Sequence, residues 1–463
     1  MPPTSSQPTP SGSGPPDPPA TGGPLRFLTD ALSAFLPAGG EGAMIRRNTA
    51  WLLSDRAFRL GLGLVVNVWL VRYLGAEAFG LMSFALSLIV IFAVLSQFGL
   101  ETIVVRELVR RPADEARIVG TSIALRLGGS LATLACAAAA AAIVAPGDAA
   151  ALRLTVIFAG IAFAQSLDVL EYWFQSRSLI PPLARARMAA GLLGAAAKVV
   201  AILAQAPLDV IALVIVGEYV LSSLVLLIAF LARPEAPRAW RATAATAREL
   251  LSESWPLVLN SVAIVVSVRV DQMMITSMRG TTENGIYAAA QRLMEVVYYL
   301  PVATMAAANP VLLRWHQQDD AGYRARLQKV FTALAMAGVV LAIGISLTST
   351  WAVRTLFGTE FEPSGPVLAI LAWNAPVLFV AVAQTNWFIA HGRQRGLMTR
   401  SMVSAVLSVA LNLVLIPRLG APGAAIAMLV SQLVAQVLVN GIARDTRPLF
   451  VLQLRAFFPF LPR

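Results

Sequence analysis

The sequence predicts an all-α polytopic membrane protein of about twelve transmembrane helices, and three observations carry that expectation. The first is composition: of 463 residues, 57% are hydrophobic and only 13% charged, with a mean hydropathy of +0.71. A soluble domain carries about 25% charged residues and must present a polar surface. A bilayer instead absorbs about 20 mostly apolar residues per crossing. The second observation is that long apolar segments alternate with short polar joints. The third is that the arginines of the joints fall mostly in every other joint.

Taken in order, residues 1–24 are rich in Pro, Ser, Gly and Thr and hold no apolar run, so they cannot bury enough surface to order themselves. They also lack the basic start and apolar stretch of a signal peptide. A disordered cytoplasmic tail is expected over 1–40, with a short interfacial helix at 25–36. The spans follow at 48–71, 80–100, 118–145, 150–174, 186–206, 208–232, 253–278, 285–313, 330–352, 365–390, 401–417 and 422–443. Gly61, Gly63 and Pro301 fall inside them, which membrane helices tolerate because neighbours satisfy the freed backbone. The organisation is a first half over 45–232, a basic cytoplasmic linker over 233–252, a second half over 253–445 and a cytoplasmic tail over 446–463.

With the N-terminus inside, 25 of the 36 Lys and Arg residues lie in the tails and inner joints, 5 in the outer joints and 6 within spans. Basic residues collect on the cytoplasmic side. A split that alternates joint by joint supports an even number of spans with both ends inside, in a bacterial inner membrane. The sequence pI of about 10.7 follows from the same bias. No basic run is interleaved with exposed aromatics, so nucleic acid is not an expected partner.

Cys136 is the only cysteine, so no intrachain disulfide forms; His316 and His391 are far apart in sequence, and no ligand set has metal spacing. There is no Walker A sequence and no nucleophile–base pair. The chain is therefore not expected to be an enzyme, to use a cofactor or to be driven directly by ATP. The outer joints are too short to house a catalytic domain.

A faint internal repeat runs through the two halves. Trp51 is followed by Gly75 and Gly80, and Trp255 by Gly280 and Gly285. The Trp-to-Gly gaps are 24 and 25, and the Gly-to-Gly gap is 5 in both. Both halves start inside, so the repeat is parallel, about an axis along the membrane normal, and the site lies between the halves.

Charges inside spans are the sharpest functional signal, since an ionisable group at the bilayer centre costs at least about 2.5–3.5 kcal/mol and normally faces a cavity or a partner. Arg56 and Arg59 share a face of the first helix, continued by Asn67. Arg126 lies on the third and Lys198 near the middle of the fifth. The seventh carries Arg269 and a polar stripe of Asn260, Ser267 and Asp271; the eighth carries Arg292 and Glu295, with Tyr299 along the same face. Six cations against fewer deep acids predict a positive, water-filled cavity suited to an anionic head group, because the arginine fork donates paired hydrogen bonds to phosphate. The expected pyrophosphate-binding residues are Arg56, Arg59, Arg126, Lys198, Arg269 and Arg292, with Asp271 and Glu295 as candidates for ion coupling. Other readings stand beside these: Arg56 snorkels to the interface, Arg292 and Glu295 form a structural ion pair, and Asp168 and Glu171 pair with Arg177.

Three stretches resemble a known family. They are Asn48 to Gly80 with Phe98–Glu101 and Val105–Val109; Trp255 to Met274 with Gly285–Leu293; and Leu411–Gly420 with Gly423–Ala427. In their order and spacing the chain is similar to the polysaccharide-transporter, O-antigen-type flippases of the multidrug/oligosaccharidyl-lipid/polysaccharide exporter superfamily. The resemblance implies two six-helix bundles around a central cavity. It also implies alternating-access transfer of undecaprenyl-pyrophosphate-linked oligosaccharide repeat units to the periplasmic leaflet for surface polysaccharide biosynthesis. Membrane lipids, a polysaccharide polymerase and export machinery would be the partners of a monomer. The alternatives are a drug or small-cation exporter, which would favour an acidic, aromatic cavity, and a membrane-embedded assembly enzyme, which would need a long outer loop.

Overall fold

A computed structural model describes the backbone of residues 40–302, 304–305, 320–393 and 395–458, with side chains from Gly61 onward except at 182, 186, 320 and 321. The expected tail and the helix at 25–36 lie outside the described residues. Every described element is helical. In chain order they are α1 (Gly40–Gln97), α2 (Leu100–Arg110), α3 (Glu115–Val144), α4 (Ala149–Ala164), α5 (Val169–Ser176), α6 (Ile180–Leu203), α7 (Leu208–Leu231) and α8 (Ala244–Arg279). Then come α9 (Thr281–Val297), α10 (Asp320–Phe357), α11 (Ser364–Ala372), α12 (Asn374–Ala390), α13 (Arg395–Leu419), α14 (Ala421–Leu433), α15 (Val439–Ile442) and α16 (Arg447–Phe457).

Ten described stretches are long and apolar enough to cross a membrane. The first, Gly61–Arg110, holds the end of the first expected span and all of the second, and the 17-residue α9 stands at the eighth, which accounts for about twelve crossings. Outward faces expose Ile143, Leu347, Val406 and Ile442. In water such surfaces would be an association hazard; in a bilayer they meet lipid.

The crossings are less regular than the hydropathy suggests. No loop separates the first two spans: α1 is continuous except at Gly75, with φ 72° and ψ 176°, a region open essentially to glycine alone. Gly280 takes the corresponding place between α8 and α9 with φ 93° and ψ 176°. The fourth span breaks at a 3₁₀ turn over Gln165–Asp168, the tenth at Trp373 between α11 and α12, and the twelfth widens into a π-turn over Val434–Leu438.

The 233–252 linker is ordered structure. Arg241 N–H donates to the Ala116 carbonyl at 3.2 Å and Thr243 N–H to Thr121 Oγ1 at 3.2 Å, so this strap is fastened along α3. Gly120 makes room for it, since a Cβ there would sit 2.6 Å from the Arg241 nitrogen. From Ala244 onward the linker is already α8.

The two halves meet through the glycines that mark the repeat. A Cβ on Gly80 would stand 1.8 Å from the Thr281 carbonyl oxygen, and one on Gly285 would stand 1.9 Å from the Ala76 carbonyl oxygen. Ala76 and Thr281 each follow their turn glycine by one residue, so this is one contact made twice about the pseudo-two-fold axis. Two glutamates fasten the same arginine-poor face. Glu360 accepts a hydrogen bond from Ala76 N–H at 2.8 Å across the halves, and Glu283 accepts one from Ala421 N–H at 2.8 Å within the second half. Each thereby satisfies a backbone donor left free at a helix start and places negative charge at the positive end of the dipole.

One apolar core draws on both halves, with Leu70, Phe84, Tyr287, Met294, Phe331 and Phe388 among its buried members. A second lies at the arginine-rich end of the first half, around Val104, Val119, Trp173, Phe174 and Phe230. On that face Arg106 pairs with Glu253, and Arg111 with Glu107 and Glu249, joining the second-to-third joint to the start of α8.

Candidate functional site

The charges expected to line one lumen fall into separate groups. Arg269 on α8 and Arg292 on α9 come together because Glu295 lies between them. Arg269 Nη2 is 2.8 Å from Glu295 Oε1, and Arg292 Nη1 is 2.9 Å from Glu295 Oε2. One turn of α9 sets Arg292 and Glu295 side by side. The group borders a cavity of about 180 Å³ lined by Gly63, Leu64 and Asn67 of the first half and by Arg292, Glu295, Val296 and Tyr299 of the second. Two cations share one carboxylate, so the group carries a net positive charge, and the Arg292 side chain is 40% exposed. Deeper in the same seam, Ser87 Oγ donates to Gln272 Oε1, and Gln272 Nε2 to Gln291 Oε1, a neutral chain that also crosses between the halves.

Lys198 and Arg126 stand apart from this group. Lys198 Nζ is 2.7 Å from Glu218 Oε2, joining α6 to α7, and Gly194 leaves the space that Glu218 occupies. Arg126 is buried, donates to Tyr172 OH at 2.9 Å and stands 3.8 Å from Asp168. Among the described residues, no contact links either cation to Glu295. Glu171 pairs with Arg187, while Arg177 takes Glu115 at 2.6 Å, so the expected partnership of Asp168 and Glu171 with Arg177 is replaced by others. Side chains at Arg56 and Arg59 lie outside the described residues.

Asp271 is fully buried inside the second half without a cationic partner among the described residues. Its oxygens accept from Tyr287 OH at 2.7 Å, Asn412 Nδ2 at 2.6 Å and Ser408 Oγ at 3.3 Å. Three neutral donors orient the carboxylate without cancelling its charge, an arrangement that can hold a proton or a small cation. The seventh-helix stripe anticipated Ser267 and Asp271, which are both buried. It did not anticipate the other wall. That wall was readable in α13 as Arg400, Ser404, Ser408 and Asn412, four polar residues four apart in an apolar helix, all at most 4% exposed.

Among known proteins, the profile of the family described as polysaccharide biosynthesis protein matches residues 45–316. No curated protein matches the chain. Among solved structures, the lipid II flippase MurJ in an inward closed conformation is similar with a TM-score of 0.71 and 11% identity, over 87% of this chain and 90% of that one. An inward-facing multidrug resistance MATE family transporter of the MOP superfamily is similar at 0.65 with 14% identity, over 87% and 96%. A MOP superfamily transporter from Pyrococcus furiosus, described as having a binding pocket of reverse polarity, is similar at 0.61 with 15% identity, over 93% and 97%. At these identities the likeness shows the shared transporter fold.

Proposed function

Because the chain belongs to the polysaccharide biosynthesis protein family, we propose that it is a flippase for oligosaccharide repeat units carried on a polyprenyl pyrophosphate, moving them from the cytoplasmic to the periplasmic leaflet. The observation that carries the reading is the Arg269–Glu295–Arg292 group on the cavity between the halves. A diphosphate offers oxygens that compete with Glu295 for both guanidinium forks, and charge-assisted bonds to arginine are stronger than neutral ones. Glu295 keeps the two arginines oriented when no anion is present, which lowers the ordering cost of capture. An organic cation would meet the same two arginines as repulsion, which disfavours the drug-exporter reading for this cavity.

In this scheme the arginine-rich face is cytoplasmic. The lobes separate alternately at their two faces, with the glycine crossing closing the periplasmic side and the Arg106, Arg111, Glu249 and Glu253 pairs closing the other. Asp271 supplies ion coupling, and the lipid tail stays in the bilayer. The test is the leaflet distribution of lipid-linked oligosaccharide in a strain depleted of the protein. Accumulation on the cytoplasmic side with loss of surface polymer is expected. Normal export with new sensitivity to a cationic drug would move the assignment to drug export, and translocated but unpolymerised units would favour an assembly enzyme.

A further inference from the structure

The polar wall behind Asp271 continues well beyond it. Along α13, Arg400, Ser404, Ser408 and Asn412 face inward over 12 residues, about 18 Å at the α-helical rise. Ser267, one turn before Asp271 on α8, and Ser404, one turn before Ser408 on α13, border a cavity of about 360 Å³ inside the second half. Asn260, Thr385, Ser401, Gln432 and Gln436 supply the rest of its polar lining. Ser404 Oγ is buried, borders this space and has no partner among the described residues, and Asn260 Oδ1 is likewise unsatisfied. Buried polar atoms of this kind are normally met by water, and the cavity has room for several molecules.

From that cavity a line of side-chain amides runs to the arginine-rich face. Gln436 Nε2 lies 3.4 Å from Gln432 Oε1, Gln384 Nε2 donates to Gln436 Oε1 at 2.9 Å, and Asn440 Nδ2 to Gln384 Oε1 at 2.7 Å. Arg400 ends the line by donating to Asn440 Oδ1 through Nε at 2.7 Å and to the Gly396 carbonyl at 2.6 Å. The π-turn over Val434–Leu438 holds Gln436 in this line, and such bulges favour functional positions. Arg400 is 4% exposed and makes no ion pair among the described residues, so its charge is uncompensated. Beyond it opens a surface pocket that also holds Arg393, Arg395 and Asp445.

We propose that this column is a shaft joining Asp271 to the cytoplasmic face, water-filled at Ser404 and closed beyond it by the bonded amides, and that Arg400 is the positively charged seal at its inner end. The inference rests on the reading above that the arginine-rich face is cytoplasmic and that Asp271 couples transport. Amide and hydroxyl groups without acids suit water and passing small cations, whereas a fixed guanidinium at the mouth repels cations and keeps the shaft from leaking.

Thiol accessibility tests it in the full chain carrying Cys136→Ala. Ser404→Cys should react with a small cationic methanethiosulfonate reagent applied to the cytoplasmic side, while Val406→Cys, 71% exposed on the outward face, should stay inert in lipid. Adding Arg400→Gln should speed the Ser404→Cys reaction roughly tenfold, the effect of about 1.4 kcal/mol of repulsion removed, and Arg400→Lys should not. Proteoliposomes of Arg400→Gln should show a substrate-independent cation leak that Asp271→Asn suppresses. A Ser404→Cys thiol as inert as Val406→Cys would overturn the shaft, and equal rates in wild-type and Arg400→Gln backgrounds would overturn the seal. Normal oligosaccharide transport by Asp271→Asn would refute the coupling role alone and leave the labelling result standing.

Discussion

A methyl group added at Gly80 or at Gly285 should force the two halves apart at the arginine-poor face. Each Cβ would stand 1.8 or 1.9 Å from a backbone carbonyl oxygen, while ordinary contact begins near 3.4 Å, so the helices must part by about 1.5 Å. Neither obstacle is a side-chain tip that could rotate away; both belong to helix starts tied in place, at Ala76 by Glu360. Overpacking of this kind costs about 1–3 kcal/mol, and that cost falls only on the arrangement in which the crossing is closed. The equilibrium toward the opened face should then shift about 5- to 150-fold. The assay is labelling of Ser83→Cys, in a Cys136→Ala background, with an impermeant thiol reagent applied from the arginine-poor side. Ser83 is buried one turn below Gly80 and should react faster in Gly80→Ala and in Gly285→Ala by similar factors, because the repeat makes the two contacts equivalent. Unchanged labelling in a stable, inserted protein would refute the gate reading, and a large effect from one glycine alone would refute the equivalence.

Further expectations concern the charged groups. Glu360→Gln weakens the cap on Ala76 and should open the same face by about 0.5–2 kcal/mol, seen as faster Ser83→Cys labelling. Arg292→Gln and Arg269→Gln should each reduce oligosaccharide transfer at least tenfold without loss of insertion, since each removes one diphosphate fork; wild-type transfer in either would remove the site. Lys198→Met should destabilise by about 3–5 kcal/mol by stranding Glu218, and Lys198→Met with Glu218→Met should recover thermal stability. If the double variant also transports, Lys198 serves structure; if it is stable and inactive, Lys198 touches substrate.

Much of the fold was legible because the bilayer imposes a simple rule, one apolar stretch per crossing. The repeat was legible too, through Gly75, Gly80, Gly280 and Gly285, whose spacing is set by a turn that only glycine adopts and a crossing that only glycine permits. Pairing was not legible. Lys198 looks like a lone buried cation until α7 brings Glu218 beside it, 20 residues away in sequence, and Arg126 until Tyr172 closes over it. Hydropathy counts charges within a span, whereas the decision between ligand and structural pair depends on which neighbouring helix faces it. Breaks such as Gln165–Asp168 and the π-turn at Val434–Leu438 are invisible for a related reason: they change the backbone register without changing how apolar the stretch is.

The strap fastened along α3 has a consequence for how the halves could be severed. Since Arg241 and Thr243 are bonded to α3, a break between the halves belongs at the start of α8, not in the middle of the polar linker. Chains 1–243 and 244–463 expressed together would part α8 from its cap, since the Thr243 carbonyl and hydroxyl accept from Ala247 and Thr246 N–H, and their reassociation would rest on that cap, the glycine crossing and the Arg106–Glu253 and Arg111–Glu249 pairs. A cut near Ala236 would instead leave the second piece trailing a segment whose binding groove is on the other piece, a non-covalent tether able to raise the local concentration of one half around the other.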